Sequence, residues 1–218
     1  MLLKRLSLLF LTTFIALSLN AQTKKYDLLK VLTKNGLTIH NRQLTPADEK
    51  KHSVKFSEAP GEGIAWINNV NFTQGTIEID LKGKDEFQKS FVGVAFHATN
   101  DSTYEAVYFR PFNFFAKDSI RKIHAVQYIS HPTFGWKKLR DERNGIFEKS
   151  VTGVADPNDW FHARIVVNEK KVWVYVNSSN VPVLSVDRLS NQSDGKIGIW
   201  VGDGAGGEFA NLQLTTRK

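Results

Sequence analysis

Two carboxylates stand two positions apart in the run Gly75–Lys82, at Glu78 and Asp80. Residues two apart on a β-strand share one face, with Cα atoms about 7 Å from each other. A pair of carboxylates that flanks a glycosidic bond can hydrolyse it, one as acid and the other as nucleophile or base. The alternative is that Glu78 and Asp80 form only the solvated face of an amphipathic strand. The pair is therefore a candidate catalytic site with a plain structural alternative.

A third carboxylate, Glu105, lies on an otherwise apolar strand face, which it shares with Val107 and Phe109. A carboxylate in such a place usually has a partner, often an arginine. If Glu105 is desolvated without a partner, its pKa would rise and it could act as a general acid. The sequence leaves both roles open, a structural salt bridge and a catalytic acid.

Aromatic and basic side chains recur on strand faces opposite the predicted core. A sugar site needs flat aromatic surfaces with polar groups beside them, because a sugar ring has apolar C–H patches and a rim of hydroxyls. The candidate ligand-binding residues are Tyr104, Tyr108, Arg110, His124, Tyr128, His162, Arg164, Trp173, Tyr175 and Trp200. The alternative is that they cover the outside of a sheet or fill gaps in the core.

The sequence predicts no metal and no cofactor. It contains no cysteine, which excludes zinc–thiolate sites, iron–sulfur clusters and cysteine nucleophiles. Its six histidines lack the His-Glu-x-x-His spacing of zinc hydrolases, and no Gly-x-Ser-x-Gly nucleophile turn occurs.

The elements that must position these residues are short β-type runs between turn residues. In Gly75–Lys82, Ile77, Ile79 and Leu81 alternate with polar residues, as in a sheet with one buried face. A dozen such runs and no long helical periodicity predict two packed antiparallel sheets in a jelly-roll sandwich. The runs are Leu37–Arg42, Ser53–Ser57, Ile64–Ile67, Gly75–Lys82, Ser90–Thr99, Thr103–Arg110, Lys122–Ser130, Trp160–Asn168, Lys171–Asn177, Val183–Asp187, Lys196–Val201 and Phe209–Thr215.

The stretch from His131 to Asp159 breaks this rhythm, because it shows no clear strand over 29 residues. Connections longer than about 15 residues are uncommon in compact domains and are often functional. We expect one or two short helical turns within Phe134–Lys149. The stretch either walls a binding cleft or caps the open end of the sandwich.

The first 21 residues have the features of a cleaved signal peptide. Lys4 and Arg5 precede an apolar stretch that is short for a membrane span, and Ala21 suits cleavage. We therefore expect a single domain over residues 22–218, periplasmic or secreted, with no membrane span in the mature form. Removal of Lys4 and Arg5 lowers the formal net charge from +7 to +5. Because an exported protein rarely meets nucleic acid, we expect no nucleic-acid partner.

Several runs together resemble the concanavalin A-like lectin/glucanase superfamily, in its laminin-G-like bacterial branch near the 3-keto-disaccharide hydrolase-type domains. The runs are GTIEIDLKGKD (75–85), FVGVAFHATNDSTYEAVYFRPFNF (91–114), HAVQYISHP (124–132), DPNDWFHARIVV (156–167), VWVYVN (172–177) and GKIGIWVGDGAGGEFANLQL (195–214). The resemblance implies a jelly roll with one concave sheet, which in relatives often holds carbohydrate.

The resemblance also exposes two departures. Glucanase members carry a further Glu after the Glu-x-Asp pair, and no position up to Gly83 supplies it here. Relatives often have Phe-Asp-Asn where this chain has Phe209-Ala210-Asn211, so a common metal ligand is missing. We expect a carbohydrate-binding domain. The alternatives are a glycoside hydrolase or lyase that uses carboxylates in the groove, and an adhesion module that recognises protein.

Overall fold

The computed structural model describes residues 21–217, which form a β-sandwich with three short helices. The predicted leader therefore lies outside the described residues, apart from Ala21 at its end. In chain order the strands and helices are β1 (Ala21–Tyr26), α1 (Leu28–Thr33), β2 (Leu37–His40), β3 (Leu44–Pro46), β4 (Val54–Phe56), β5 (Gly63–Phe72), β6 (Gly75–Lys82), β7 (Val92–Asn100), β8 (Thr103–Phe109), α2 (Ser119–Ile123), β9 (Val126–His131), α3 (Trp136–Glu142), β10 (Glu148–Lys149), β11 (Phe161–Val167), β12 (Lys171–Val176), β13 (Leu184–Asp187), β14 (Gly195–Val201) and β15 (Gly207–Arg217).

The strands form two antiparallel sheets. The eight-stranded sheet runs β13-β12-β11-β6-β15-β4-β3, with β1 also paired to β15, and the seven-stranded sheet runs β10-β9-β8-β7-β14-β5-β2. Alternate side chains of both sheets fill the space between them. For example, the Phe109 ring of β8 lies 5.0 Å from the Phe161 ring of β11, centroid to centroid. The two-sheet antiparallel jelly roll predicted from the alternation is confirmed.

The prediction of a strand from Lys122 to Ser130 is wrong in its first half. Residues Ser119–Ile123 form α2, because the Asp118 side chain caps the helix by accepting a hydrogen bond from the Arg121 backbone N–H at 2.7 Å. The strand begins only at Val126. His124 therefore precedes β9 and does not share a strand face with Tyr128.

The long connection after β9 contains regular structure. It holds α3 and the two-residue strand β10, which pairs with β9 through Glu148 and Lys149. The short helical turn expected within Phe134–Lys149 is present as α3. A strand of two residues is too short to leave an alternation pattern, which is why the sequence did not reveal β10.

Candidate ligand-binding site

A cross-strand row on the seven-stranded sheet forms the floor of the candidate site. Trp200 of β14 is paired with Gly93 of β7, Gly93 with Tyr108 of β8, and Tyr108 with Gln127 of β9. Because Phe109 points towards the eight-stranded sheet, its neighbour Tyr108 points away from that sheet. Gly93 has no side chain, so the Trp200 and Tyr108 rings meet above it with centroids 4.8 Å apart.

A cavity of about 450 Å³ opens above this floor, at the end of the sheet where β5 begins and β14 ends. Its lining contains both aromatic and charged side chains. Its lining comprises Glu62, Phe87, Gln88, Phe91, Tyr108, Arg110, Phe112, Asn113, Arg121, His124, Ile129, Trp136, Arg140, Trp200, Gly202 and Asp203. Its size and its mixed lining are typical of a small-ligand site.

Arg110, just after β8, lies at the cavity floor and is only 4% exposed. Its hydrogen bonds hold it in one orientation. Its Nη2 donates to the Tyr108 hydroxyl at 2.6 Å and to Gln127 Oε1 at 2.5 Å, and its Nη1 donates to the His124 carbonyl at 2.9 Å. Burial raises the pKa of Tyr108 to about 12. The phenol is therefore neutral, and its O–H donates to Gln127 Oε1 at 2.9 Å. This network fixes the guanidinium before any ligand arrives.

Glu148 of β10 is the carboxylate nearest to this arginine. It is 2% exposed and receives hydrogen bonds from Arg140 of α3, Nε to Oε1 at 3.1 Å and Nη2 to Oε2 at 2.9 Å. Arg110 Nη1 lies 3.8 Å from Glu148 Oε2. The paired geometry with Arg140 positions α3 over the sheet.

His124 lies between these groups. Its Nδ1 is 2.8 Å from Glu148 Oε2, although the angles do not meet hydrogen-bond geometry and the nitrogen has no other partner among residues 21–217. Burial lowers the pKa of His124, and Arg140 and Arg110 lower it further, against the opposing effect of Glu148. The imidazole is therefore neutral at neutral pH.

Two carboxylates line the opposite end of the cavity. Glu62 accepts a hydrogen bond from the Tyr104 hydroxyl and lies 3.3 Å from His131 Nε2, although that contact lacks hydrogen-bond geometry. Burial acts to raise the pKa of Glu62, but the close His131 ring and the hydrogen bond from Tyr104 outweigh it and lower the pKa. Asp203 Oδ1 accepts from the Gly61 backbone N–H at 2.5 Å. Both acids are therefore held in place by neighbouring groups.

Two exposed aromatic residues stand at the mouth of the cavity. Trp136, the first residue of α3, is 45% exposed, and Phe87 is 56% exposed. The Arg121 guanidinium lies 4.4 Å from the Phe87 ring centroid, and the Phe112 ring packs edge-on against Phe87 at 5.6 Å. Exposed flat rings beside charged groups are surfaces on which a sugar ring can stack.

The structure brings five of the sequence-predicted residues to this site. Tyr108, Arg110, His124 and Trp200 line the cavity. Tyr104 lies beside it, where its hydroxyl accepts from Trp200 Nε1 at 3.2 Å and donates to Glu62.

Six others lie on the outer face of the eight-stranded sheet, away from the cavity. They are Glu78, Asp80, His162, Arg164, Trp173 and Tyr175. His162 Nδ1 is 2.8 Å from Asp80 Oδ1, and its Nε2 is 3.6 Å from Glu78 Oε1. The hydrogen bond to Asp80 raises the pKa of His162, and the cluster lies on a half-buried sheet face.

Glu105 and Tyr128 lie in the interior between the sheets. Glu105 is 1% exposed and accepts hydrogen bonds from the Tyr128 hydroxyl and from Arg188 Nη2, the latter at 2.5 Å. His97 Nδ1 lies 2.8 Å from Glu105 Oε1. Burial acts to raise the pKa of Glu105, but these hydrogen bonds outweigh it and the pKa is lowered. Glu105 is therefore ionised and paired, as in the salt-bridge reading of the sequence.

Sequence reasoning missed much of the cavity wall. The missed polar lining residues are Glu62, Gln88, Asn113, Arg121, Arg140 and Asp203, and Glu148, which pairs with Arg140, was missed too. All of them lie in turns, in short helices or in the long connection, where no alternation marks a face. The one available signal was the length of the connection, whose reading as a cleft wall agrees with the positions of Trp136 and Arg140.

Within residues 21–217 no group of three or more His, Asp or Glu side chains is arranged to hold a metal ion. No helix in that range is long and apolar enough to cross a membrane.

Several solved structures share the architecture of this chain. Carbohydrate-binding module CBM66 from Bacillus subtilis superposes with a TM-score of 0.58 at 17% identity, over 82% of this chain and 95% of that one. A Bacillus subtilis protein of unknown function with a galectin-like fold gives a TM-score of 0.59 at 12% identity, over 89% and 96%. The chain has a galectin-like jelly-roll fold.

A third neighbour extends the comparison. The exoplasmic/lumenal domain of VIP36, in a form bound to Ca²⁺ and Man3GlcNAc, matches with a TM-score of 0.51 at 9% identity, over 83% of each chain. No family model and no curated protein matches this sequence. At these identities the structural neighbours show the fold, and function must be argued from the cavity itself.

Proposed function

We propose that this domain binds carbohydrate in the cavity on the seven-stranded sheet. The observation that carries the proposal is the lining, in which exposed Trp136 and Phe87 stand beside fixed hydrogen-bonding groups such as Arg110. Rings offer stacking surfaces to the apolar faces of a sugar, and the fixed polar groups pair with its hydroxyls. The name of the CBM66 module, a carbohydrate-binding neighbour of the same fold, supports the same ligand class.

We further propose that the domain works outside the cytoplasm, as one domain of residues 22–218 released from its leader. This part rests on the Lys4–Arg5 start, the apolar stretch and Ala21. The site residues proposed to contact sugar are Trp136, Phe87, Tyr108, Arg110 and Trp200, the last three of which were also predicted from the sequence.

Glycoside hydrolysis is the second candidate function, since the resemblance extends towards the 3-keto-disaccharide hydrolase-type domains. The structural observation in its favour is that Glu62 and Asp203 both line the cavity. The pair expected from the sequence, Glu78 and Asp80, lies on the other sheet, and Glu105 lies in the core. Any hydrolytic role would therefore belong to Glu62 and Asp203.

A glycan panel tests binding. Purified residues 22–218 are screened, and the best glycan is titrated against Trp136→Ala, Phe87→Ala and a control, Phe115→Ala. Phe115 is 57% exposed but does not line the cavity. We expect each rim variant to weaken binding about tenfold, because stacked aromatic residues are typical binding hot spots, and the control to bind as the wild type does.

The outcomes separate the candidates. No binding across the panel, or equal losses in all three variants, would refute carbohydrate binding in this cavity. Glycans recovered from the mixture are sized by chromatography. Intact glycans support a binding module, whereas shortened glycans, protected when Glu62→Gln replaces the wild type, support hydrolysis.

A further inference from the structure

Carboxylates line one end of the cavity and guanidinium groups line the other. Glu62 precedes β5 and Asp203 follows β14, whereas Arg110 follows β8 and Arg140 packs against β10. In the seven-stranded sheet β7 lies between β14 and β8, so Asp203 and Arg110 are two strand spacings apart, about 10 Å. The charges are therefore separated along the direction that crosses the strands.

Three guanidinium groups lie at the basic end, and among residues 21–217 the only carboxylate within 4.0 Å of any of them is that of Glu148. Arg140 takes both oxygens of Glu148, and Arg110 approaches the same carboxylate only to 3.8 Å. Arg121 has no carboxylate within 4.0 Å among residues 21–217. The neighbouring His124 is neutral, so this end carries an excess of about two positive charges at neutral pH.

Arg121 faces the cavity with part of its hydrogen-bonding capacity unused. Its Nε donates to Asn113 Oδ1 at 3.4 Å, and its Nη2 donates to the Phe112 carbonyl at 3.1 Å. Within the described residues no acceptor bonds its Nη1. The hydrogen bonds and the Phe87 ring beneath it hold the guanidinium plane in one orientation. A fixed guanidinium with unused donors matches the oxygens of a carboxylate or a sulfate.

We propose that the ligand of this cavity is an acidic glycan, whose carboxylate or sulfate ester lies against Arg121 and Arg110. This inference rests on the carbohydrate-binding function proposed above. Glu62 and Asp203 accept hydrogen bonds from neutral hydroxyls at the other end, so the cavity also sets the direction of the bound chain. The guanidinium groups of the basic end attract the anion to that end.

Matched pairs of glycans test the charge requirement. Oligogalacturonate is compared with its methyl ester, and sulfated carrageenan oligosaccharides with neutral agarose oligosaccharides, by calorimetry on the intact domain. We expect one acidic member to bind at least about tenfold more tightly than its neutral partner, as loss of one charge-assisted hydrogen bond implies. Preference in the first pair identifies a carboxylate and preference in the second a sulfate. Raising NaCl from about 50 mM to about 500 mM should weaken that binding about fivefold or more.

Substitution of one arginine locates the effect. Arg121→Gln should weaken acidic-glycan binding about tenfold. Arg143→Gln is the matched control, because Arg143 also lies over an aromatic ring, that of Phe134 at 5.4 Å, but does not line the cavity. Thermal unfolding of both variants verifies that they are folded.

Three results would overturn the inference. Equal binding of charged and neutral partners, lost in Trp136→Ala, would leave a neutral-sugar site and preserve the broader proposal. If Arg121→Gln and Arg143→Gln weakened acidic-glycan binding equally, the anionic group would bind outside this cavity. Absence of binding to every glycan would overturn both proposals together.

Discussion

At the scale of single residues, two histidines in this protein respond to their neighbours in opposite ways. His162 gains a hydrogen bond from its ring to Asp80, which raises its pKa above the ordinary value of 6.5. His124 loses hydration on burial beside Arg140 and Arg110, which lowers its pKa below 6.5. Folding therefore favours the protonated form of His162 and the neutral form of His124.

These shifts predict opposite pH dependences of stability. A raised folded pKa contributes stability that is present below about pH 6.5 and is lost as the pH rises through the folded value. A lowered folded pKa costs stability once the pH falls below about 6.5, since the unfolded chain then takes up the proton. We therefore expect His162→Gln to lower the melting temperature more at about pH 5.5 than at about pH 8.5.

The companion variant supplies the control for this measurement. His124→Gln should flatten the fall in melting temperature that the wild type shows as the pH drops from about 7.5 to about 5.5. Differential scanning fluorimetry of wild type and both variants across this range measures each difference. If the change in melting temperature varied with pH in the same direction for both variants, one of the two assigned pKa shifts would be wrong.

At the scale of the element, β7 contributes Gly93 to the cavity floor, a residue without a side chain. A Cβ on Gly93 would lie 2.2 Å from the Val107 carbonyl oxygen and 2.6 Å from the Tyr108 Cα. Strand β8 lies too close for anything larger than hydrogen at this position. The same absence of a side chain lets Trp200 and Tyr108 meet above β7.

Gly93→Ala should therefore disturb both stability and the cavity floor. Overpacking of this kind costs about 1–3 kcal/mol of unfolding free energy, measured by urea denaturation. Binding of the best glycan from the panel should weaken as well, because Tyr108 is displaced. Gly135→Ala is the control, since the nearest atom to its added Cβ is 3.4 Å away on the flexible His131 side chain. Equal unfolding free energies of the two variants would show that β8 can move away from the added Cβ without loss of stability, and would contradict this prediction.

The elements that sequence reasoning recovered are those with a regular alternation. The strands β6, β11 and β12 alternate buried and half-buried residues without interruption, and they lie where the pattern predicts. In β9 the pattern misleads. Tyr128 points inward although it carries a polar hydroxyl, because the Glu105 carboxylate in the core accepts a hydrogen bond from that hydroxyl. Because the polar residues of this pair are buried, the buried face of β9 resembles a solvent-facing one. The sequence of β9 alone does not show that Tyr128 has a partner in β8.

At the scale of the whole molecule, a buried ion cluster ties the two sheets together. Glu105 belongs to β8 of the seven-stranded sheet, and Arg188 directly follows β13 of the eight-stranded sheet. The two side chains are 1% and 5% exposed. Their contact crosses the interior that apolar residues otherwise fill.

Removal of Arg188 should therefore loosen the sandwich. Arg188→Ala leaves the Glu105 carboxylate buried without its cation, which typically costs about 3–5 kcal/mol of unfolding free energy. Arg164→Ala, on the outer face of the eight-stranded sheet, should cost less than about 1 kcal/mol. Urea denaturation of both variants measures the difference. A loss below about 1 kcal/mol for Arg188→Ala would mean that His97 and Tyr128 alone hold the carboxylate.

The sequence predicted the sandwich better than it predicted the site. Alternation fixes which residues fill the core, and it placed Tyr108 and Trp200 on a face opposite that core. It does not state which strands become neighbours, so residues of both sheets were pooled into one candidate set. Arg121 and Arg140 come from short helices beside the sheets, and only folding brings them to the cavity.

The wall that contains α3 and β10 has a consequence for how recognition can diversify. It is one unbroken piece of chain, fastened to β9 by hydrogen bonds between Ser130 and Phe134 at one end and from the Ala125 N–H to the Lys149 carbonyl at the other. The part of this segment between Phe134 and β10, α3 included, belongs to neither sheet, so its exchange would leave the strand order of both sheets unchanged. Grafting a different segment there offers protein engineers, and evolution, a new ligand preference on an unchanged scaffold.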